Sequence, residues 1–266
     1  VSGSSTFDGN SLIFQPTDPL LPSQAYLAKI TYCGSEHPVE IPFQTSELGT
    51  ALSGGNGILI DQTYSIDISV GRVLYPIGVG DLIQALLENT FLTQIREVEN
   101  AKMDVRFALS MDNEIVQDYC VPTLDQFPLI DIAEAPYFTL SNRDIPVLLS
   151  SYAITIYDFD AHGTISPDGS YFGEIYATGT LDGREVYPIL VDFGLNVENE
   201  EAFCDLLENF GLTCQECPLD GREYCMSIEI DKITADRINI ELDKVCEPKC
   251  HSLCYENLET CTEPQE

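Results

Sequence analysis

Tyr64-Ser65-Ile66-Asp67-Ile68-Ser69-Val70 is the stretch that decides the fold class. Tyr64, Ile66, Ile68 and Val70 fall on one side of an extended chain, and Ser65, Asp67 and Ser69 on the other. That is the period of a strand with one buried and one wet face. The pattern recurs where Met103, Val105, Phe107, Leu109 and Met111 alternate with Lys102, Asp104, Arg106 and Ser110. Residues 152–181 are dense in strand-forming types, and further strands are expected over 224–230 and 237–242. Asp168-Gly169, Asp182-Gly183 and Asp220-Gly221 carry the chemistry of turns that tolerate positive φ. The fold class read from this is all-β, an antiparallel sheet with one solvated face.

Two short helices interrupt it. Over 80–93, Leu82, Ile83, Leu86, Leu87 and Leu92 form an apolar stripe, with Asp81 near the positive helix end. Over 199–210 a second helix is expected, with Gly211 as a left-handed cap. Ahead of this body, residues 1–48 read as short strands at 11–14, 24–33 and 39–45, set off by Asp8-Gly9-Asn10 and Pro16-Thr17-Asp18-Pro19 and arranged as a sandwich. Gly49, Ser53, Gly54, Gly55 and Gly57 mark a flexible joint over 48–57. The expected organisation is a partial sandwich at 1–48, a larger β domain at 58–243 and a cysteine-rich tail at 244–266.

Part of the N-terminal stretch resembles a known family. Ser11-Leu-Ile-Phe-Gln-Pro-Thr-Asp-Pro-Leu-Leu-Pro-Ser-Gln-Ala-Tyr-Leu-Ala-Lys-Ile30, followed by Ile41-Pro-Phe-Gln-Thr45, is similar to the second half of a bacterial Ig-like domain of the S-layer-associated type. The strands that open that family's domain have no counterpart ahead of Val1. The resemblance therefore implies a domain that begins upstream, or an Ig-like sandwich completed by a strand from elsewhere. An incomplete sandwich presents an unpaired edge, which invites strand addition and self-association. Tyr64-Ser-Ile-Asp67, Pro76-Ile-Gly-Val-Gly-Asp81, Gln117-Asp-Tyr-Cys-Val-Pro-Thr123, Pro136-Tyr-Phe138, Cys204-Asp-Leu206 and Phe210-Gly-Leu-Thr-Cys-Gln-Glu-Cys-Pro218 resemble uncharacterised secreted lipoproteins of myxobacteria and their relatives. This second resemblance implies an envelope or surface location and no mechanism.

Charge narrows the function classes. Of 266 residues, 44 are Asp or Glu against 12 Lys or Arg, a formal net charge of −32. Such a field repels phosphate backbones and anionic headgroups, which argues against nucleic-acid binding. No apolar run approaches the ~20 residues of a spanning helix, so no membrane span is expected, while a lipid anchor on a removed N-terminal segment would be compatible.

Ten cysteines lie at Cys33, Cys120, Cys204, Cys214, Cys217, Cys225, Cys246, Cys250, Cys254 and Cys261. Their number and clustering suit disulfides in an oxidising compartment, hence a secreted protein or one on the outer surface of a bacterium. For Cys204, Cys214, Cys217 and Cys225, two local disulfides stapling helix to strand are preferred over a zinc site or a redox motif. Pro218 stands where a haem-attachment motif needs His. The tail Cys246, Cys250, Cys254 and Cys261 reads as a disulfide-knotted segment; the alternative is a helix with Cys246, Cys250 and Cys254 on one face, which would suit a metal, and His251 about a quarter-turn away. Cys33 and Cys120 are left as partners for each other.

Asp158-Phe-Asp160-Ala-His162-Gly163-Thr164-Ile165 has carboxylates at alternate positions followed by Gly, like the start of a calcium loop. Position twelve is Gly169 rather than Glu, and the stretch fits a strand with Asp158 and Asp160 on its wet edge. Calcium is the one cofactor these residues suggest. No nucleophile elbow, metal-binding His pair or phosphate-cradling loop is present, and His37, His162 and His251 stand in no catalytic motif. The function expected is non-enzymatic: a structural subunit of a filament or surface layer. The alternative is a monomeric envelope lipoprotein holding an apolar or carbohydrate ligand near the 80–93 helix.

Overall fold

A computed structural model describes residues 1–245 except 10, 33, 35–36, 77–89, 112–113, 150–151, 193 and 196. The chain divides into two units, Val1–Thr50 and Ala51–Glu266, each described by itself.

The first unit is built from two antiparallel hairpins, β1 (Gly3–Asp8) with β2 (Ser11–Pro16) and β3 (Ala25–Ile30) with β4 (Val39–Gln44). Three of these strands were legible in sequence; β1 was not. The Asp8↔Ser11 pairing closes the first hairpin, and Gly9 has φ 56°. In the second hairpin Tyr26 stacks on Phe43 at 5.6 Å between ring centroids, beside a Lys29–Glu40 ion pair. Thr45 fastens its base by donating its hydroxyl to the Leu21 carbonyl (2.7 Å). Each hairpin is a separate two-stranded sheet among the described residues, and the unit contributes no residue to the buried apolar core. Phe7 is 82% exposed, and Leu12, Ile13, Phe14, Leu27, Ile41 and Phe43 are exposed as well. The alternation of these strands thus gives pleated ribbons without a covering layer among the described residues.

The second unit is a closed antiparallel barrel rather than a sandwich. Its strands are β5 (Thr63–Asp67), β6 (Arg72–Tyr75), β7 (Phe91–Glu99), β8 (Lys102–Leu109), β9 (Ile130–Asp131), β10 (Tyr137–Leu149), β11 (Tyr152–Ile165), β12 (Tyr171–Asp182), β13 (Gln215–Glu216) and β14 (Glu223–Ile238). Of this ten-stranded sheet, β6 and β13 pair only with β14; the other eight run β12-β11-β10-β9-β8-β7-β5-β14, and β14 pairs back onto β12. Closure leaves no edge in the ring.

Bulges allow the long strands to bend that far. Register shifts lie between Leu140 and Arg143 in β10, Tyr157 and Asp160 in β11, and Phe172 and Ile175 in β12. Each brackets a residue with positive φ: Asn142, Asp158 and Glu174.

Several sequence expectations are corrected here. The alternation that began at Tyr64 ends at Asp67, whose carboxylate accepts from the Ser69 amide and starts a 3-10 turn over Ile68–Val70. Val70 is therefore exposed rather than inward. Of the helix expected over 80–93, residues 80–89 lie outside the described residues. Phe91, Leu92 and Thr93 belong to β7, because they pair with both β5 and β8. Asp182-Gly183 is not a hairpin turn: β12 ends at Asp182, and helix α1 (Gly183–Asp192) begins at once. Residues 237–242 form no separate strand, since β14 runs unbroken to Ile238. Nor is all of 48–57 a loose joint. Ser53 donates both its amide and its hydroxyl to the Pro167 carbonyl, and the 3-10 turn Asn56–Leu59 packs Leu59 into the core with no exposed surface.

The 199–210 helix is found as α2 (Glu200–Glu208), with Asn199 as its N-cap accepting from the Ala202 amide, and Gly211 beyond it has φ 75°. Phe203 and Leu207 of α2 pack with Val186 and Leu190 of α1 and Met226 of β14. Gly183 is obligatory at this junction, since a Cβ there would lie 2.4 Å from the Phe203 ring. Two disulfides, Cys204–Cys214 and Cys217–Cys225, tie the end of α2 and the following segment to β14. No helix of the described residues is long and apolar enough to cross a membrane.

Candidate ligand cavity

The inward residues of the barrel do not fill it. A cavity of about 310 Å3 runs through the interior. An eight-stranded barrel is near the size at which side chains either fill the lumen or leave room for one small ligand. Two features of this chain leave room. Ala161 and Ala177 stand at inward positions on neighbouring strands, and helix α1 covers part of one end with Val186 and Ile189 instead of inserting a large ring.

At the opposite end Leu59 reaches the core, against a layer in which Phe172 meets both Tyr64 (4.6 Å, edge to face) and Phe138 (5.4 Å). Gly163 is a position where size matters, because an added Cβ would come within 2.8 Å of the Phe138 ring. The turn linking β11 and β12 braces this end. Asp168 accepts from the Ser170 amide (2.9 Å) and the Ser166 hydroxyl (3.1 Å), and the Ser170 hydroxyl first, then these two bonds, hold its carboxyl down at about 2.

The walls are apolar almost throughout, and no charged side chain lines them among the described residues. Tyr64 and Thr93 bring the hydroxyls. The Tyr64 hydroxyl is committed to the Gly169 carbonyl (2.8 Å), and burial pushes it up to about 12. Thr93 differs. It is 7% exposed, and its buried Oγ1 has no hydrogen-bond partner among the described residues. Phe91, Thr93 and Ile95 alternate inward along β7, with Leu92 and Gln94 facing the other way.

Charge is kept outside. On the outer face of β7 and β8, Arg96 pairs with Asp104 (2.8 Å), and Arg106 pairs with Asp125 (2.5 Å) while donating to the Leu242 carbonyl (2.7 Å). The chain leaving β14 is held along this face by Gln117, which exchanges two hydrogen bonds with the Asp243 backbone, and by Thr123 on Val245. Cys120 sits half-buried in the same segment. At the α1 end, Arg184 bridges Asp182 and Asp220, which raises its own pKa and lowers that of Asp220.

The sequence-derived candidates fall away from the cavity. Asp158 and Asp160 occupy the β10–β11 bulge: Asp158 donates its amide to the Asp144 carboxylate, and Asp160 accepts from the Asn142 amide (both 3.1 Å). The strand reading of that stretch holds, and the carboxylates of Asp160 and Asp144 accept from bent backbone. Among the described residues, the one grouping with metal-ligand spacing is Asp182 with Cys217 and Cys225, and both sulfurs are spent in a disulfide. His162 lies against Tyr176 on the barrel wall (5.0 Å). Cys33, Cys246, Cys250, Cys254, Cys261 and His251 lie outside the described residues, and with them the expected Cys33–Cys120 pairing and the knotted tail.

Sequence reasoning missed Thr93, Leu59 and α1. The signals were there in Val186, Ile189 and Leu190 at helical spacing, and in a lone Thr inside the apolar run from Phe91 to Ile95. Pro188 within the first, and a helical reading of the second, obscured them.

Comparisons with protein-family models, curated proteins and solved structures give no match for this chain. The disulfides and the barrel therefore carry the functional argument alone.

Proposed function

We propose that this is a secreted, non-enzymatic binding protein that holds one apolar molecule inside its barrel. The observation that carries the reading is the 310 Å3 apolar cavity within a closed ring of strands. Close packing is the rule for protein interiors, and apolar voids of this size are few. An engineered apolar cavity of about 150 Å3 in another protein binds benzene, and small-molecule pockets begin near 300 Å3. Among the described residues the walls carry no charged side chain, and the one phenol, on Tyr64, is committed to Gly169, which suits binding of an apolar molecule. A carbohydrate ligand is disfavoured, because each buried hydroxyl without a partner costs about 1–3 kcal/mol.

The test uses N-phenyl-1-naphthylamine, a neutral dye that brightens in apolar surroundings. Saturable one-to-one binding that Ala177→Leu abolishes, in a variant that keeps the wild-type circular dichroism spectrum, is the expected result. Equal binding by the filled variant would overturn the reading.

A second reading, assembly into a filament or surface layer, is favoured by a different observation: the exposed apolar faces and unpaired edges of the N-terminal hairpins. Large exposed apolar patches mark interaction sites, and open edges accept strands. This fits the Ig-like resemblance of that segment. Sedimentation over a hundredfold concentration range tests it. Concentration-dependent growth that Phe7→Ser and Phe14→Ser suppress supports assembly, and a monomer throughout excludes it.

A further inference from the structure

We infer that Thr93 is the polar anchor of the cavity, and that the ligand is a neutral aliphatic molecule bearing one hydroxyl or carbonyl oxygen, not a fatty acid. The inference rests on the binding reading above and narrows it to a chemical class.

Three observations carry it. The Thr93 hydroxyl is more than nine-tenths buried, lines the cavity and lacks a partner among the described residues. Buried polar groups are satisfied in the great majority of cases, so an orphan facing an empty apolar volume marks where a ligand atom belongs. The other hydroxyl in the wall, on Tyr64, already donates to Gly169. The site thus offers one hydrogen-bonding group and can satisfy one ligand oxygen, either by donating to a carbonyl or by pairing with an alcohol.

Placement sets the rest. Thr93 stands between inward Phe91 and Ile95, which the strand rise puts about 7 Å to either side. It also faces Phe107 across the β7–β8 ladder and Tyr64 across β5. Apolar wall therefore extends in both directions from the anchor, and an elongated chain fits better than a compact polar molecule. A carboxylate would enter a cavity that no cation lines among the described residues, in a protein of net charge −32. Desolvation of an unpaired carboxylate is prohibitive, and the protein's own field adds to it.

The experiment measures displacement of N-phenyl-1-naphthylamine from the full chain by octane, 1-octanol and octanoate at pH 7.5, with the Ala177→Leu signal subtracted. Wild type, Thr93→Val and Thr93→Ser are compared. Valine keeps the volume and removes the hydroxyl; serine keeps the hydroxyl. The expected result is a roughly three- to tenfold loss of 1-octanol affinity in Thr93→Val, the range of one hydrogen bond. Octane should change less than twofold, 1-octanol binding should return in Thr93→Ser, and octanoate should compete at least a hundredfold more weakly than 1-octanol. Octane and 1-octanol binding that ignores Thr93→Val would overturn the anchor while leaving the binding reading intact. Octanoate competing as well as 1-octanol would overturn the neutral class. If neither dye nor octane binds, the binding reading itself fails, and the anchor with it.

Discussion

Tyr64 donates its buried hydroxyl to the carbonyl of Gly169, 2.8 Å away, and so ties strand β5 to the turn between β11 and β12. The two residues are 105 positions apart, and Gly169 takes φ 67° to turn the chain there. Tyr64→Phe leaves that carbonyl without its partner and should cost about 1–3 kcal/mol in denaturant unfolding. The Tyr64 pKa lies above its unfolded value, at about 12. The folded state therefore keeps this contribution below about pH 10 and loses it as pH rises toward 12. That part of the alkaline decline should be missing from Tyr64→Phe.

Leu59 packs at the same end of the barrel. With no exposed surface and its neighbours fixed in strands, Leu59→Ala should destabilise by about 2–5 kcal/mol, because rigid walls collapse poorly onto a void. Thermal unfolding reads this directly. A change under 1 kcal/mol would show that the 3-10 turn is not docked as described.

Thr93→Val should stabilise the ligand-free protein by about 1 kcal/mol. It exchanges an unsatisfied buried hydroxyl for a methyl group of the same size. Urea unfolding of protein stripped of extractable ligand checks it, and a destabilised variant would mean that the hydroxyl has a partner within the chain.

The disulfides Cys204–Cys214 and Cys217–Cys225 close short loops, with sequence separations of 10 and 8. Each should contribute roughly 2–3 kcal/mol by restricting the unfolded chain. Replacing either pair by serine should lower the melting temperature, with the greater loss for Cys217–Cys225, whose sulfurs are buried. Peptide mapping without reductant confirms the pairing.

Acid should act on the turn beside Gly169. The Asp168 carboxyl is held at about 2 by the Ser170 hydroxyl and amide and by Ser166, against about 3.9 in an unfolded chain. Its contribution is complete above about pH 4 and is lost as pH falls toward 2. Asp220 and Asp231 are lowered in the same sense by Arg184 and Arg72. Asp168→Asn should flatten the stability profile between pH 4 and pH 2, and an unchanged slope would contradict the turn geometry.

The sequence by itself determined the strand class, the α2 helix with Gly211 beyond its end, the turn at Asp168-Gly169 and the oxidised state of Cys204, Cys214, Cys217 and Cys225. Those features rest on local rules: side-chain period, capping chemistry, positive φ and the proximity of cysteines along the chain. Tertiary structure decided that the sheet closes into a barrel, because closure depends on β14 finding β12 and on bulges at Asn142, Asp158 and Glu174. It also decided the use of Asp158 and Asp160, which sequence places on the wet edge of a strand with calcium as a candidate ligand, and whose amide and carboxylate respectively bond across a bulge in space. The cavity is the least local feature of all. Alternation gives which residues point inward, but the volume left over depends on how Ala161, Ala177, Gly163 and the Phe138 ring sum around a ring of eight strands, and no single stretch of sequence contains that sum.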